Sequence, residues 1–397
     1  MTSTTDGTGA ALMPGAVLGQ RFQVERPAGE GGMGLAFLAL DLESRKRVIV
    51  KVPQLPVTAE LDPEARRRVM GRFAREGRLL GKLEHRNIPA VVCVGEHGSV
   101  PYLVMTYIYG SKLGQYRQAI VPRPAEFAAI GTSVADALSA CHAEEVVHRD
   151  LKPDNLLVGE NGAVYVIDFG IALPRNTDTS RYTRSFVGTD AYAAPERFRG
   201  GELVTQSDLY SLGCVFYYLL ADRPPFVADG GKTLEKQHLE DRPEPPSRFA
   251  AGVLPEFEEL TLALLEKNVE DRPGIEELRA VLRPHLPVLG APEPNPVSRP
   301  DVTIPYRTPA AVGPPEAPAR VRPASVRPFR ARRRRDFLTE ADITETLRLA
   351  AAEHDKGNGE AAARTLTDLR HRAIETFGAG NPKLEPIEQA WARIEHR

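Results

Sequence analysis

With 397 residues, 42% hydrophobic and 26% charged, the chain has room for one large domain and a remainder and enough apolar residues for a core. That excludes a lone small module and a chain disordered throughout. Basic and acidic residues nearly cancel, 51 against 53 for a net charge of −2, which excludes a surface that is basic all over and built for nucleic acid.

Residues 1–16 read as a disordered N-terminus without the basic and apolar regions of a signal peptide, and no apolar run reaches the ~18 residues of a membrane-spanning helix. A cytoplasmic location without a transmembrane segment is expected. Cys93, Cys141 and Cys214 lack CxxC spacing, so neither a disulfide framework nor a zinc site is indicated. Residues 22–26, 35–40, 47–52, 91–96 and 102–107 are short β-rich runs, interrupted by a helical stretch over 63–83. After Gly110 the pattern turns helical, with Phe127, Ile130, Val134, Ala137, Leu138 and Cys141 at 3.6-residue spacing and similar runs over 209–220 and 257–265. The expectation is a β-rich small lobe and a helical large lobe spanning 17–283.

Residues 284–329 hold 13 of the 34 prolines, and 284–335 carry ten arginines against three acidic residues. Proline fixes φ and removes a donor, so 284–335 are expected to form a disordered linker. Its basic end, Arg327 to Arg335, is read as a solvated tether rather than a lipid or nucleic-acid site. Residues 336–397 read as a small all-α domain of three helices, over 342–355, 360–377 and 384–396. Leu366, Leu369, Ala373 and Phe377 line one face of the second, and Leu384, Ile387, Trp391 and Ile394 one face of the third.

The chemistry lies in an ordered series of motifs. Gly29, Gly31 and Gly34 form GxGxxG, whose backbone can approach phosphate oxygens because no Cβ intervenes; taken alone, the pattern also fits a plain hairpin turn. Lys51 ends the β run VIVK, where strand alternation aims one cation into the cleft beneath that turn, and Glu76 in the following helical stretch is a candidate partner. HRDLKPDN, from His148 to Asn155, puts a carboxylate, a cation and an amide within one short segment. Asp168 heads DFG directly after the β run VYVI. Phosphoryl transfer to a hydroxyl requires that the nucleotide phosphates be cradled, their charge neutralised and the acceptor oxygen held in line, and these residue types meet each need.

The series GxGxxG, VIVK, Glu76, HRDLKPDN, DFG and AAPE resembles the protein kinases over roughly residues 18–282. GGMG in the glycine turn and KPDN after HRD resemble the eukaryotic-like serine/threonine kinases of bacteria. The resemblance implies an α+β fold with a β-rich N-lobe and a helical C-lobe. It also implies ATP and Mg²⁺ as cofactors, protein substrates, and transfer of the γ-phosphate to Ser or Thr.

Carried over by position, Lys51 contacts the α and β phosphates with Glu76 as its partner. Ala36, Met105 and Ile108 line the adenine site beside the glycine turn, Asp150 orients the acceptor, Lys152 meets the γ-phosphate, and Asn155 with Asp168 holds the metal. Asp208 braces the catalytic loop, Arg272 pairs with Glu196, and Leu80, Phe169 and His148 stack as an apolar spine. Arg149, Thr183 and Thr189 are the regulatory positions, with activation by autophosphorylation of the segment before AAPE and a homodimer as the arrangement for phosphorylation in trans.

Several positions depart from the family. Ala36 stands where Val is usual and Ile49 where Ala is usual, so volume lost on one strand is offset on the next; Thr106 and Tyr109 replace common acids near the hinge and ribose. Ile171 after DFG implies a preference for Thr over Ser acceptors. The competing expectation is a pseudokinase scaffold that binds nucleotide and partners without chemistry. The C-terminal helices faintly resemble tetratricopeptide-type pairs and imply a protein partner, being shorter than the ~3 repeats of a stable array.

Overall fold

The computed structural model describes residues 12–31, 34–53, 63–97, 100–169, 190–228, 231–312 and 340–355, and much of 358–395. The chain divides into two compact units, 1–324 and 325–397.

The first unit opens with a six-stranded antiparallel sheet of β1 (Val17–Leu18), β2 (Phe22–Gly31), β3 (Gly34–Asp41), β4 (Arg47–Val52), β5 (Val91–His97) and β6 (Val100–Thr106), in the order β1-β2-β3-β4-β6-β5. Period-2 alternation is cleanest in β4, where Val48, Val50 and Val52 are buried in one core while Ile49 and Lys51 stand half-buried on the other face. Ala36 sits opposite Lys51 and Ile49 opposite Met105, so Ala36 and Ile49 are diagonal neighbours on one face and the larger side chain offsets the smaller. Helix α1 (Pro63–Leu80) packs on this sheet through Met70, Phe73 and Leu80. It ends three residues earlier than periodicity suggests, as Gly81 and the turn after it take over the chain.

The larger part is helical. Around α3 (Pro124–Ala143) pack α5 (Thr205–Ala221), α7 (Pro255–Leu264) and α8 (Ile275–Leu282), burying Phe127, Leu138, Phe216, Phe257 and Leu278 in one core. Between α3 and its neighbours, α2 (Leu113–Ala119) follows β7 (Gly110–Lys112), which forms a small antiparallel sheet with β8 (Leu156–Gly159) and β9 (Val164–Val166). Val146 and Val147 lie beyond the end of α3. The helix closes at Ala143, and Glu145, at φ +57°, turns the chain into the catalytic segment.

The proline-rich stretch departs from the expected linker over its first half. From Ser298 to Val312 the stretch packs on the large lobe, with a short helix Ile304–Arg307 and Asp301, Val302, Thr303 and Arg307 all buried. Proline forbids a ladder but not side-chain docking, and polar side chains here supply the hydrogen bonds that regular structure would give. The rest of the expected linker, including Arg327 to Arg335, lies outside the described residues.

In the second unit, helices Glu340–Asp355 and Glu385–Glu395 pack with the described residues between them around Ile343, Ala350, Leu366, Leu369, Ala373, Leu384 and Ile387. These include the expected faces of its second and third helices; the side chains of Phe377, Trp391 and Ile394 lie outside the described residues. No helix among the described residues is long and apolar enough to cross a membrane.

Candidate active site

The glycine turn joins β2 to β3, with Gly31 opposite Gly34 in the ladder. Gly34 is dictated by the fold itself: at φ +156°, a Cβ there would collide with the Val52 carbonyl oxygen. A Cβ on Gly29 would meet nothing within 4 Å.

Beneath the sheet, Lys51 does not pair with Glu76. Its ammonium forms a short ion pair with Asp168, while Glu76 on α1 faces the guanidinium of Arg149 at 3.5 Å. Two carboxylates and two cations thus form two pairs, in which Glu76, with a side chain more enclosed than that of Asp168, is met by Arg149. Burial pushes the Asp168 carboxyl up, and the charge and hydrogen bond of Lys51 overcome this to hold it below the usual carboxylate range. Asp168 sits at φ +58°, a left-handed backbone that aims its side chain back at β4.

The catalytic segment is held by one buried carboxylate. Asp208, from the first turn of α5, accepts from the backbone N–H of His148 at 2.8 Å and of Arg149 at 2.9 Å, and meets His142 Nε2 at 2.8 Å. Three partners on Asp208 stabilise the left-handed backbone of Arg149, φ +67°, which would otherwise cost about 1–3 kcal/mol. His148 is fully buried; Nε2–H donates to the Ile167 carbonyl at 2.8 Å and Nδ1 accepts from the Asp150 N–H at 3.3 Å. Burial lowers its pKa, in keeping with a neutral ring that uses one nitrogen as donor and the other as acceptor. The His148 ring stands 4.8 Å from Phe169, and Phe169 belongs to the same core as Leu80.

Asp150 is surrounded by donors. Asn155 Nδ2 donates to its carbonyl at 2.7 Å and to Oδ2 at 3.0 Å, Lys152 Nζ reaches Oδ2 at 3.0 Å, and Arg197 lies 3.8 Å from Oδ1. With both Nδ2 protons committed to Asp150, the amide oxygen of Asn155 is left for another partner. That oxygen and the Asp168 carboxylate are hard oxygen donors of the kind Mg²⁺ takes, so the residues present fit the ion. Among the described residues no group of three His, Cys, Asp or Glu side chains is placed to hold a metal ion.

At the hinge, Met105 and Ile108 are buried, Thr106 donates to the Ala90 carbonyl at 3.3 Å, and Tyr109 is exposed with its ring edge-on to Tyr107. Farther down, Glu196 pairs with Arg272 at 2.6 Å, as its position implied, and Ser207 donates to Glu196 at 3.1 Å. Thr183, Thr189 and Ile171 lie outside the described residues. Sequence reasoning missed His142, Arg197 and Asn87. His142 sits six residues before HRD, near the end of α3, with no motif of its own. Arg197 directly follows Glu196 and reads as a solvated cation. Asn87, buried, donates to Val164 and accepts from Val166, clamping β9.

A model of the protein kinase domain matches residues 22–281. The chain belongs to the protein kinase domain family. It is 37% identical over 262 residues to the serine/threonine-protein kinase PknB of Mycolicibacterium smegmatis, a match covering 64% of this chain and 41% of that protein. It is 31% identical over 258 residues to PrkC of Bacillus subtilis, covering 65% and 39%. Matches of this kind reach only about two-fifths of the length of those relatives. Among solved structures, the kinase domain of Mycobacterium tuberculosis PknI aligns with a TM-score of 0.52 and 25% identity, covering 69% of this chain and 99% of that one. The bilobal α+β fold is therefore that of the kinases, of the eukaryotic-like bacterial kind.

Proposed function

We propose that the chain is a serine/threonine protein kinase that uses Mg·ATP and phosphorylates protein substrates. The observation that carries this is the convergence of Asp150, Lys152, Asn155 and Asp168 on one cleft with Lys51 opposite, each side chain held by a second group. Mg²⁺, when bound, neutralises charge on the nucleotide phosphates. Lys51 crosses from the sheet to the DFG carboxylate and holds the two lobes' contributions at one point. Asp150 accepts the hydrogen bond of an incoming hydroxyl, and the neighbouring Lys152 stabilises the charge that develops on the transferred group. A pseudokinase scaffold is disfavoured because none of these charged positions is missing. The names of the relatives support Ser/Thr rather than Tyr acceptors.

Autophosphorylation at Thr183, with Thr189 in the acceptor-site loop, belongs to the same proposal. Arg149, with its side chain largely buried beside Glu76, is the cation that a phosphate in that segment would reach. Incubating wild-type and Asp150→Asn protein with labelled ATP, followed by phosphosite mapping, tests the reading. Transfer by wild type and its loss in the variant are expected; equal labelling of both would overturn it.

A further inference from the structure

Residues 286–312 lie beyond the matched domain, yet Ser298, Asp301, Val302, Tyr306 and Val312 all tie them to the large lobe. Ser298 donates to the buried carboxylate of Glu126 at 2.6 Å and accepts from Arg123 at 3.1 Å, both at the start of α3. Asp301, Thr303 and Arg307 form a knot: Asp301 accepts from the Thr303 N–H at 2.9 Å and hydroxyl at 2.6 Å and pairs with Arg307. Arg307 also donates to Thr303 Oγ1 at 3.0 Å and to the Ala291 carbonyl at 3.2 Å. A buried ion pair is costly unless its remaining donors and acceptors are met, and here they are. Val302 enters the main core, and the Tyr306 hydroxyl lies 3.0 Å from that of Ser133.

Two of these contacts lead to the nucleotide site. The Asp301 carbonyl approaches the β8–β9 turn so closely that a Cβ on Gly162, φ +79°, would collide with it. Val312 packs against Ile108, Ala163 and Tyr165, a cluster that Leu157 and Ile167 also join. Leu157 is two residues beyond Asn155, Ile167 immediately precedes Asp168, and Ile108 is at the hinge. The strap thus meets, at its turn and along β9, the hairpin that leads from one candidate metal ligand to the other.

We propose that residues 298–312 are a positioning strap for the nucleotide site, with Val312 fixing the β8–β9 hairpin against the hinge, so that the catalytic unit includes residues beyond the matched domain. The proposal rests on the kinase reading above and names residues that touch no reacting atom. A strap that merely adds stability would lower thermal stability without selecting between substrates, whereas a positioning strap acts on ATP.

The test uses full-length protein carrying Val312→Asp, Val312→Ile or Thr303→Val. Calorimetric ATP affinity, KM for ATP, KM for a peptide acceptor and the melting temperature are measured for each. Val312→Asp is expected to weaken ATP binding and raise KM for ATP about fivefold, the scale of losing one half-buried aliphatic contact, with peptide KM within about twofold and Val312→Ile at wild-type values. Should Val312→Asp not fold, Thr303→Val, which loosens the knot, must give the same selective rise. ATP affinity within about twofold of wild type in the folded variants, or ATP and peptide KM rising together, overturns the strap. If wild type binds ATP but transfers no phosphate, the kinase reading fails while calorimetry alone still decides the strap.

Discussion

Arg272→Met removes a guanidinium whose side chain is wholly buried. It leaves the Glu196 carboxylate, itself only 10% exposed, with Ser207 as its remaining donor, and it strips donors from the carbonyls of Glu266, Gln206 and Lys267. Breaking a buried pair from one side costs about 3–5 kcal/mol, because the surviving charge stays buried. The mirror change is milder. Glu196→Gln keeps an oxygen able to accept from Arg272, and the guanidinium keeps its three carbonyl acceptors, so about 1.5–3 kcal/mol is expected. At about 2–4 °C per kcal/mol for a unit of this size, Arg272→Met should melt roughly 10 °C below wild type and Glu196→Gln about half as far. Differential scanning calorimetry on the full chain reads both. A loss below about 1 kcal/mol for Arg272→Met, or equal losses for the two variants, would refute the argument that the stranded carboxylate, not the lost contact, sets the cost.

His238 is enclosed between Tyr210, Phe198 and Phe226, and burial with the nearby Lys267 lowers its pKa to about 3. The unfolded chain therefore binds the proton more readily, so this group's contribution is full above pH about 6.5 and is lost as pH falls toward about 3, at up to about 1.4 kcal/mol per pH unit. Urea midpoints at pH 7 and 5 should converge in His238→Leu, and an unchanged pH dependence would count against the assignment. Lys51→Met and Asp168→Asn should be strongly non-additive in activity because the two side chains form one pair, whereas Lys51→Met with Glu76→Ala should be closer to additive. A double-mutant cycle on kcat/KM with the opposite ranking would mean that Lys51 exchanges Asp168 for Glu76 during turnover. Gly34→Ala should raise KM for ATP through displacement of the glycine turn, while the more open Gly29→Ala should not disturb the fold; melting curves and ATP titrations of both variants check this. Paired acceptor peptides differing only in Ser or Thr should favour Thr several-fold, and equal rates would remove the role given to Ile171.

The charged positions of the site were legible in the sequence because they are chemistry-bearing residue types at short, fixed offsets: HRDLKPDN and DFG each lie within a few residues, and strand alternation alone sends Lys51 to the cleft face of β4. The lobes were legible for the same reason, since periods of 2 and 3.6 are local properties of the chain. Pairings across long separations were not. Lys51 reaches Asp168 while Arg149 meets Glu76, a sharing-out of partners that exists only once both lobes are packed. His142 and Arg197 looked like surface cations until α5 brought Asp208, and the catalytic segment brought Asp150, within reach. Composition marked residues 287–312 as linker because proline and arginine argue against local regular structure. The tertiary fold made part of the lobe of them, since a buried aspartate, threonine and arginine met one another's hydrogen bonds only in that one arrangement.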